Sequence, residues 1–166
     1  MSGGEFVEQA LREAHGQGSG SAGELDLNAL ARECKRIADE HGFKDASVPE
    51  DVALIHSEAS ELLEDFREGK IPHEMHYVEK VQAFTQDGSP LTGDDGVPVF
   101  VEVPRRDAVG ANGKLRKPVG IPSEVADIVI RCLHFSGKHG IDLHGAVVEK
   151  MTYNDSRTFM HGGKKI

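Results

Sequence analysis

The stretch Pro122–Phe135 constrains this chain most. Taken at about 100° per residue, Val125, Ala126, Ile128, Val129, Ile130, Leu133 and Phe135 surround nearly the whole circumference of a helix. A helix apolar all round is a buried one, so other helices must enclose it. Yet Glu124, Asp127, Arg131 and His134 fall on one narrow stripe of the same helix. Carboxylates inside a protein are costly unless they are paired or bound to a metal. The rest of the chain must therefore supply both the enclosure and the partners.

Three further helices are readable. Leu27, Leu30, Ala31, Cys34, Ile37 and Ala38 follow the i, i+3, i+4, i+7 rule and predict a helix over about 26–41, stopped by Gly42. Ser47-Val48-Pro49-Glu50 is a capping box with proline in the first turn. The helix it opens runs to Arg67 or Glu68 and closes at Gly69. Pro122 opens the third helix and Gly140 closes it; Asp142 caps a fourth over about 143–157.

Residues 71–118 differ. They hold most of the prolines and the turn signals Asp87-Gly88, Asp95-Gly96 and Asn112-Gly113. Val97–Val103 and Val78–Phe84 read as a small β hairpin, with Pro98 placing the first of them at an edge. The expected fold is all-α: a four-helix bundle core with a small irregular, β-hairpin insertion between the second and third core helices. Residues 1–23 are expected to form a short helix, with Phe6, Val7, Ala10, Leu11 and Ala14 on one stripe, and a glycine-rich flexible linker. Residues 24–166 form the helical domain, which includes the 71–118 insertion and a mobile tail at 158–166. No internal repeat of fixed period is visible.

Charge narrows the partners. Twenty-eight acids against 19 bases give a net charge of −9. Nucleic-acid binding needs a basic face, so none is expected. No apolar run is long enough for a membrane span, and the polar, glycine-rich start is unlike a signal peptide. Cys34 and Cys132, in apolar patterns far apart, read as reduced core thiols of a cytoplasmic protein.

The second helix carries Glu58, Glu61 and Asp65 on one stripe, flanking an apolar arc of Ile55, Leu62 and Phe66. Glu-x-x-Glu is ordinarily a solvated face, and Glu124-x-x-Asp127 at a helix start would also favour the macrodipole. The apolar surround of the third helix argues for a site instead. Two i, i+3 acid pairs on two core helices can converge, and four carboxylates there would repel strongly. A hard divalent cation resolves that repulsion, and magnesium prefers oxygen ligands. On the fourth helix Leu143, Ala146, Val147 and Met151 define an apolar side that continues into Lys150, Asn154 and Arg157. These are either snorkelling side chains near a helix C-terminus or a clamp for phosphate. His134 reads as a satisfied core histidine.

Glu58-x-x-Glu61, Glu-Val-Ala-Asp at 124–127, Lys150-x-x-Tyr153-Asn154-x-x-Arg157 and His161-Gly-Gly-Lys164 together resemble the MazG-like members of the all-α nucleoside triphosphate pyrophosphohydrolases. The stretch Gly120–Arg131 is especially similar. The resemblance covers about 47–69 and 117–166 well, and the first helix loosely. It implies a homo-oligomer, dimer or tetramer, that cleaves a nucleoside triphosphate to the monophosphate and pyrophosphate with Mg²⁺, or Mn²⁺ in its place. The substrate would be a canonical, deoxy- or non-canonical nucleotide. By motif, Glu58, Glu61, Glu124 and Asp127 would be metal ligands. Lys150, Tyr153, Asn154, Arg157 and Lys164 would contact phosphate or nucleotide. The interval between Glu61 and Glu124 is longer than the family's, because of 71–118, and this bears on substrate identity more than on chemistry.

The expected mechanism is attack of water on the α-phosphorus, with Glu61 or Asp65 taking the proton and Lys150 and Arg157 stabilising developing charge. A di-iron bundle would need Glu-x-x-His twice, and a P-loop enzyme Gly-x-x-x-x-Gly-Lys-Ser/Thr; neither is present. The alternative is a non-catalytic helical protein that binds nucleotide or regulates.

Overall fold

The computed structural model describes residues 26–157. Its elements are α1 (Leu27–Glu40), α2 (Val48–Arg67), β1 (His76–Gln82), β2 (Phe100–Arg105), β3 (Lys117–Val119), α3 (Ile121–His139) and α4 (Leu143–Asp155). The expected short helix at 5–14, the linker and the tail lie outside the described residues.

The all-α expectation is overturned. The three strands form an antiparallel sheet in the order β2-β1-β3. With four helices this makes a mixed α and β protein. Among the described residues the buried apolar side chains are Ala31, Ile121 and Leu133. The physical reason for the mixed class lies in 71–118, which is organised by turn chemistry. Asp87-Gly88, Asp95-Gly96 and Asn112-Gly113 build three copies of one turn. In each, the Asx side chain accepts from the amide two residues on: Ser89 at 3.2 Å, Val97 at 3.0 Å and Lys114 at 3.0 Å. In each, the following glycine has positive φ, the conformation that a type I turn with a G1 bulge requires. The amides of Thr85, Gly93 and Gly110 then close each turn on the carbonyls of Ser89, Val97 and Lys114. The three turns share this backbone pattern without recurring at a fixed period.

The chain divides into two compact units, one of residues up to Asp51 with those from Ile130, the other Val52–Val129. In the first, Asp26 caps α1 by accepting from the Asn28 amide at 2.9 Å. Asn28 Nδ2 in turn donates to Asp142 Oδ1 at 2.7 Å, and Asp142 caps α4 through the Gly145 amide at 3.0 Å. The first turns of α1 and α4 are thus tied by one amide and one carboxylate. Gly137 of α3 packs on the Ala31 carbonyl so closely that a Cβ there would collide with it. Of the expected capping box the Glu50 half forms, with Ser47 N and Oγ both donating to Glu50 Oε2 at 2.6 and 2.7 Å.

In the second unit, α2 ends at Arg67, and after a turn at Glu68 and Gly69 the chain leads on to β1. Tyr77 to Gln82 pair with Arg105 to Phe100, and His76 to Val78 with Val119 to Lys117. Pro104 and Pro118 sit in β2 and β3, the two edge strands, where a missing amide donor is tolerated. The observed hairpin strands are offset from the expected 78–84 and 97–103, and β3 is an addition. β3 leads through Gly120 directly into α3.

Candidate metal centre

The buried residues of α2 are Asp51, Glu58 and Asp65, seven positions apart, with half-buried Ile55 and Leu62 between them. Val52, Leu54, Leu63 and Phe66 are exposed. The acids therefore do not flank a buried apolar arc. They are the most buried side chains of their helix. The third helix departs from expectation in the same sense: Val125, Val129 and Ile130 are between 46 % and 49 % exposed, so its apolar circumference is not enclosed within a single chain.

Glu58 and Glu61 stand one turn apart on α2, and Glu124 stands in the first turn of α3. Ligand oxygens of these three carboxylates all lie within 4.8 Å of one another. The position of Glu124 is set locally. Gly120, at φ +102°, turns the chain out of β3, and a Cβ there would press on the Glu74 carbonyl at 3.1 Å. Ser123 Oγ donates to the Pro118 carbonyl at 3.2 Å, and the amides of Ser123 and Glu124 donate to the Gly120 carbonyl. The start of α3 is thereby fixed to the end of the sheet.

Electrostatics mark the same point. Burial pushes the Glu124 carboxyl above its ordinary value, and the negative charges of Asp65, Asp127, Glu61 and Glu58 push it further. Asp127 is thus within electrostatic reach of the cluster, though its oxygens are not among the three that converge. Asp65 is held differently. Its Oδ1 accepts from Lys70 Nζ, an ammonium also 3.2 Å from Glu68. Its Oδ2 is buried and has no hydrogen-bond partner among the described residues. Lys70 was not foreseen from the sequence; its only signal is its place just after the Gly69 stop.

The cluster fits a divalent cation. Three carboxylates at this separation repel, Asp65, which acts electrostatically on Glu124, has a buried oxygen without a donor, and every ligand atom is a hard oxygen. The other expected residues lie in the other unit. Lys150 Nζ and Arg157 Cζ stand 5.2 and 5.8 Å from the Tyr153 ring centroid, and with Asn154 all are exposed. The expected apolar side of their helix is only partly covered: Leu143 and Val147 are half-buried, whereas Ala146 and Met151 are exposed. His134 is buried, and burial lowers its pKa. Lys164 and His161 lie outside the described residues.

No protein-family model, no curated protein and no solved structure matches this chain. Among the described residues, no helix is long and apolar enough to cross a membrane.

Proposed function

We propose that this chain is a Mg²⁺-dependent nucleoside triphosphate pyrophosphohydrolase that works as a homo-oligomer. The observation that supports this best is the convergence of Glu58, Glu61 and Glu124, from helices far apart in sequence, with the Asp65 carboxylate within electrostatic reach of Glu124. Glu58, Glu61 and Glu124 would hold the cation, with Asp127 beside them. When bound, it supplies charge neutralisation for a triphosphate and polarises the oxygens around the α-phosphorus.

The chain's own groups then have distinct tasks. Lys70 donates to one oxygen of Asp65, and the other, buried, has no hydrogen-bond partner among the described residues. Asp65 Oδ2 takes the proton of the attacking water. The water oxygen bonds to the α-phosphorus, the bond to the bridging oxygen breaks, and pyrophosphate leaves with that oxygen. Lys150, Tyr153, Asn154, Arg157 and Lys164 enter this reading through the sequence resemblance alone, as contacts to phosphate and nucleotide.

Two further parts of the reading rest on exposure and thiol chemistry. Leu63, Phe66, Val125 and Val129 are large apolar side chains open to solvent, which a second copy would cover. Cys34 and Cys132 are free thiols, as suits the cytoplasm.

The test is pyrophosphate release from canonical and modified nucleoside triphosphates, with and without Mg²⁺. Activity should require the metal and vanish in Glu61→Ala and Asp127→Ala while circular dichroism is unchanged. Turnover in either variant at the parent rate, or none in the parent with any nucleotide, would refute it. In the latter case nucleotide binding without cleavage would leave the non-catalytic alternative.

A further inference from the structure

The β-rich segment carries a cleft of about 360 Å³, lined by none of the clustered acids. The register pairs Val78 with Lys117 and Lys80 with Glu102, so one face of the sheet presents these side chains together. The third Asx-Gly turn presents Lys114 along the same cleft. Arg116 holds that turn in place. Its Nη1 donates to the carbonyls of Asp107 and Val109, each at 3.0 Å, and its Nε donates to Glu79 Oε2 at 3.3 Å. The Arg116 side chain is only 13 % exposed and its donors are committed within the fold.

Glu79 is likewise committed, to Arg105 at 2.9 Å as well as to Arg116. Lys80, Lys114 and Lys117 form no ion pair among the described residues. In a chain of net charge −9, three uncommitted ammonium groups therefore line one cleft against one uncommitted carboxylate, Glu102.

From this geometry we propose that the cleft binds a small oligophosphate, such as inorganic pyrophosphate or the phosphate tail of a nucleotide. Three arguments select that class. The one guanidinium is already bonded, so planar bidentate capture is unavailable; three separate ammonium point charges instead suit a small anion that carries several negative charges, as an oligophosphate does. The cleft has the size of small-ligand sites. A long polyanion would be repelled by the net charge of the whole chain, whereas a small one is governed by the local groups. The proposal does not depend on the acid cluster, and metal-free conditions separate the two.

The experiment is an amide NMR titration of the full chain with pyrophosphate in EDTA, at constant ionic strength, with potassium chloride as control. Shifts are expected at Lys80, Lys114 and Lys117, with affinity at least tenfold weaker in Lys114→Gln/Lys117→Gln and unchanged in Glu58→Gln. Adenosine and guanosine triphosphates should bind at the same amides as tightly as pyrophosphate. The proposal is overturned if those amides do not move, if chloride moves them equally, or if the double variant keeps its affinity. It is overturned too if a nucleotide binds where pyrophosphate does not, or if a single-stranded oligonucleotide binds there more tightly than pyrophosphate.

Discussion

Glu124→Gln should make the metal-free protein more stable at neutral pH, although it removes a charge from a site that the fold has assembled. At the 4.8 Å limit of the cluster, two carboxylates repel by about 1 kcal/mol in a water-like medium and about 3.5 kcal/mol at an effective dielectric of ~20. Glu124 faces two such neighbours, Glu58 and Glu61. Glu61 is exposed, which pulls its share towards the lower figure. Against the relief stands the lost acid in the first turn of α3, worth about 0.3–1 kcal/mol. The net gain is about 1–2 kcal/mol, or roughly 2–8 °C in Tm for a chain of this size. The gain has a defined pH dependence. The folded-state pKa of Glu124 lies above its ordinary 4.5. Below that ordinary value the wild-type group is protonated whether folded or not, and the two proteins should match. As pH rises through the folded-state pKa, the wild type loses stability that the glutamine variant keeps. With magnesium the order should reverse, since a ligand at a hundredfold its Kd adds about 2.7 kcal/mol to a protein with an intact site. Thermal unfolding from pH 4 to 8, in EDTA and in magnesium, reads all three effects. A variant less stable than wild type at pH 7 in EDTA, or a difference constant with pH, would refute the reasoning.

Lys70→Met should strand Asp65 with neither oxygen paired, costing about 1–3 kcal/mol in urea unfolding, since the ammonium is partly exposed. Addition of magnesium should restore part of that loss. Gly137→Ala should cost about 1–3 kcal/mol by driving a methyl into the Ala31 carbonyl, seen as a lower Tm with unchanged magnesium affinity. Glu61→Ala should keep the parent's Tm in EDTA within a few degrees while losing the Tm rise on adding magnesium.

The helices were legible because their signals are local. Asp26, Ser47 and Asp142 cap, Gly42, Gly69 and Gly140 stop, and the observed bounds fall within a residue or two of those the periodicity gives. The class was not legible, because the sheet depends on pairing between His76–Val78 and Lys117–Val119, which no local pattern announces. The site was half legible. Acid pairs at helical spacing pointed to Glu58, Glu61 and Glu124, but the rule that apolar residues face inward hid the buried row Asp51, Glu58, Asp65. That row follows a seven-residue spacing normally sought in leucines. The counter-cations, Lys138 for Asp51 at 2.8 Å and Lys70 for Asp65, come from beyond the helix and carry no periodic signal.

The pairing of His76 with Val119 has an evolutionary consequence. It clasps the chain where it leaves the second helix to where it begins the third, so everything between is a detour whose ends are already joined. Lengthening or trimming the turns at 85–89, 93–97 or 110–114 should leave the spacing of the two acidic helices untouched, whereas a single residue gained or lost between Val119 and Glu124 would rotate one carboxylate out of the cluster. Lineages of this protein should therefore vary more at the turns 85–89 and 93–97 than at the clasp.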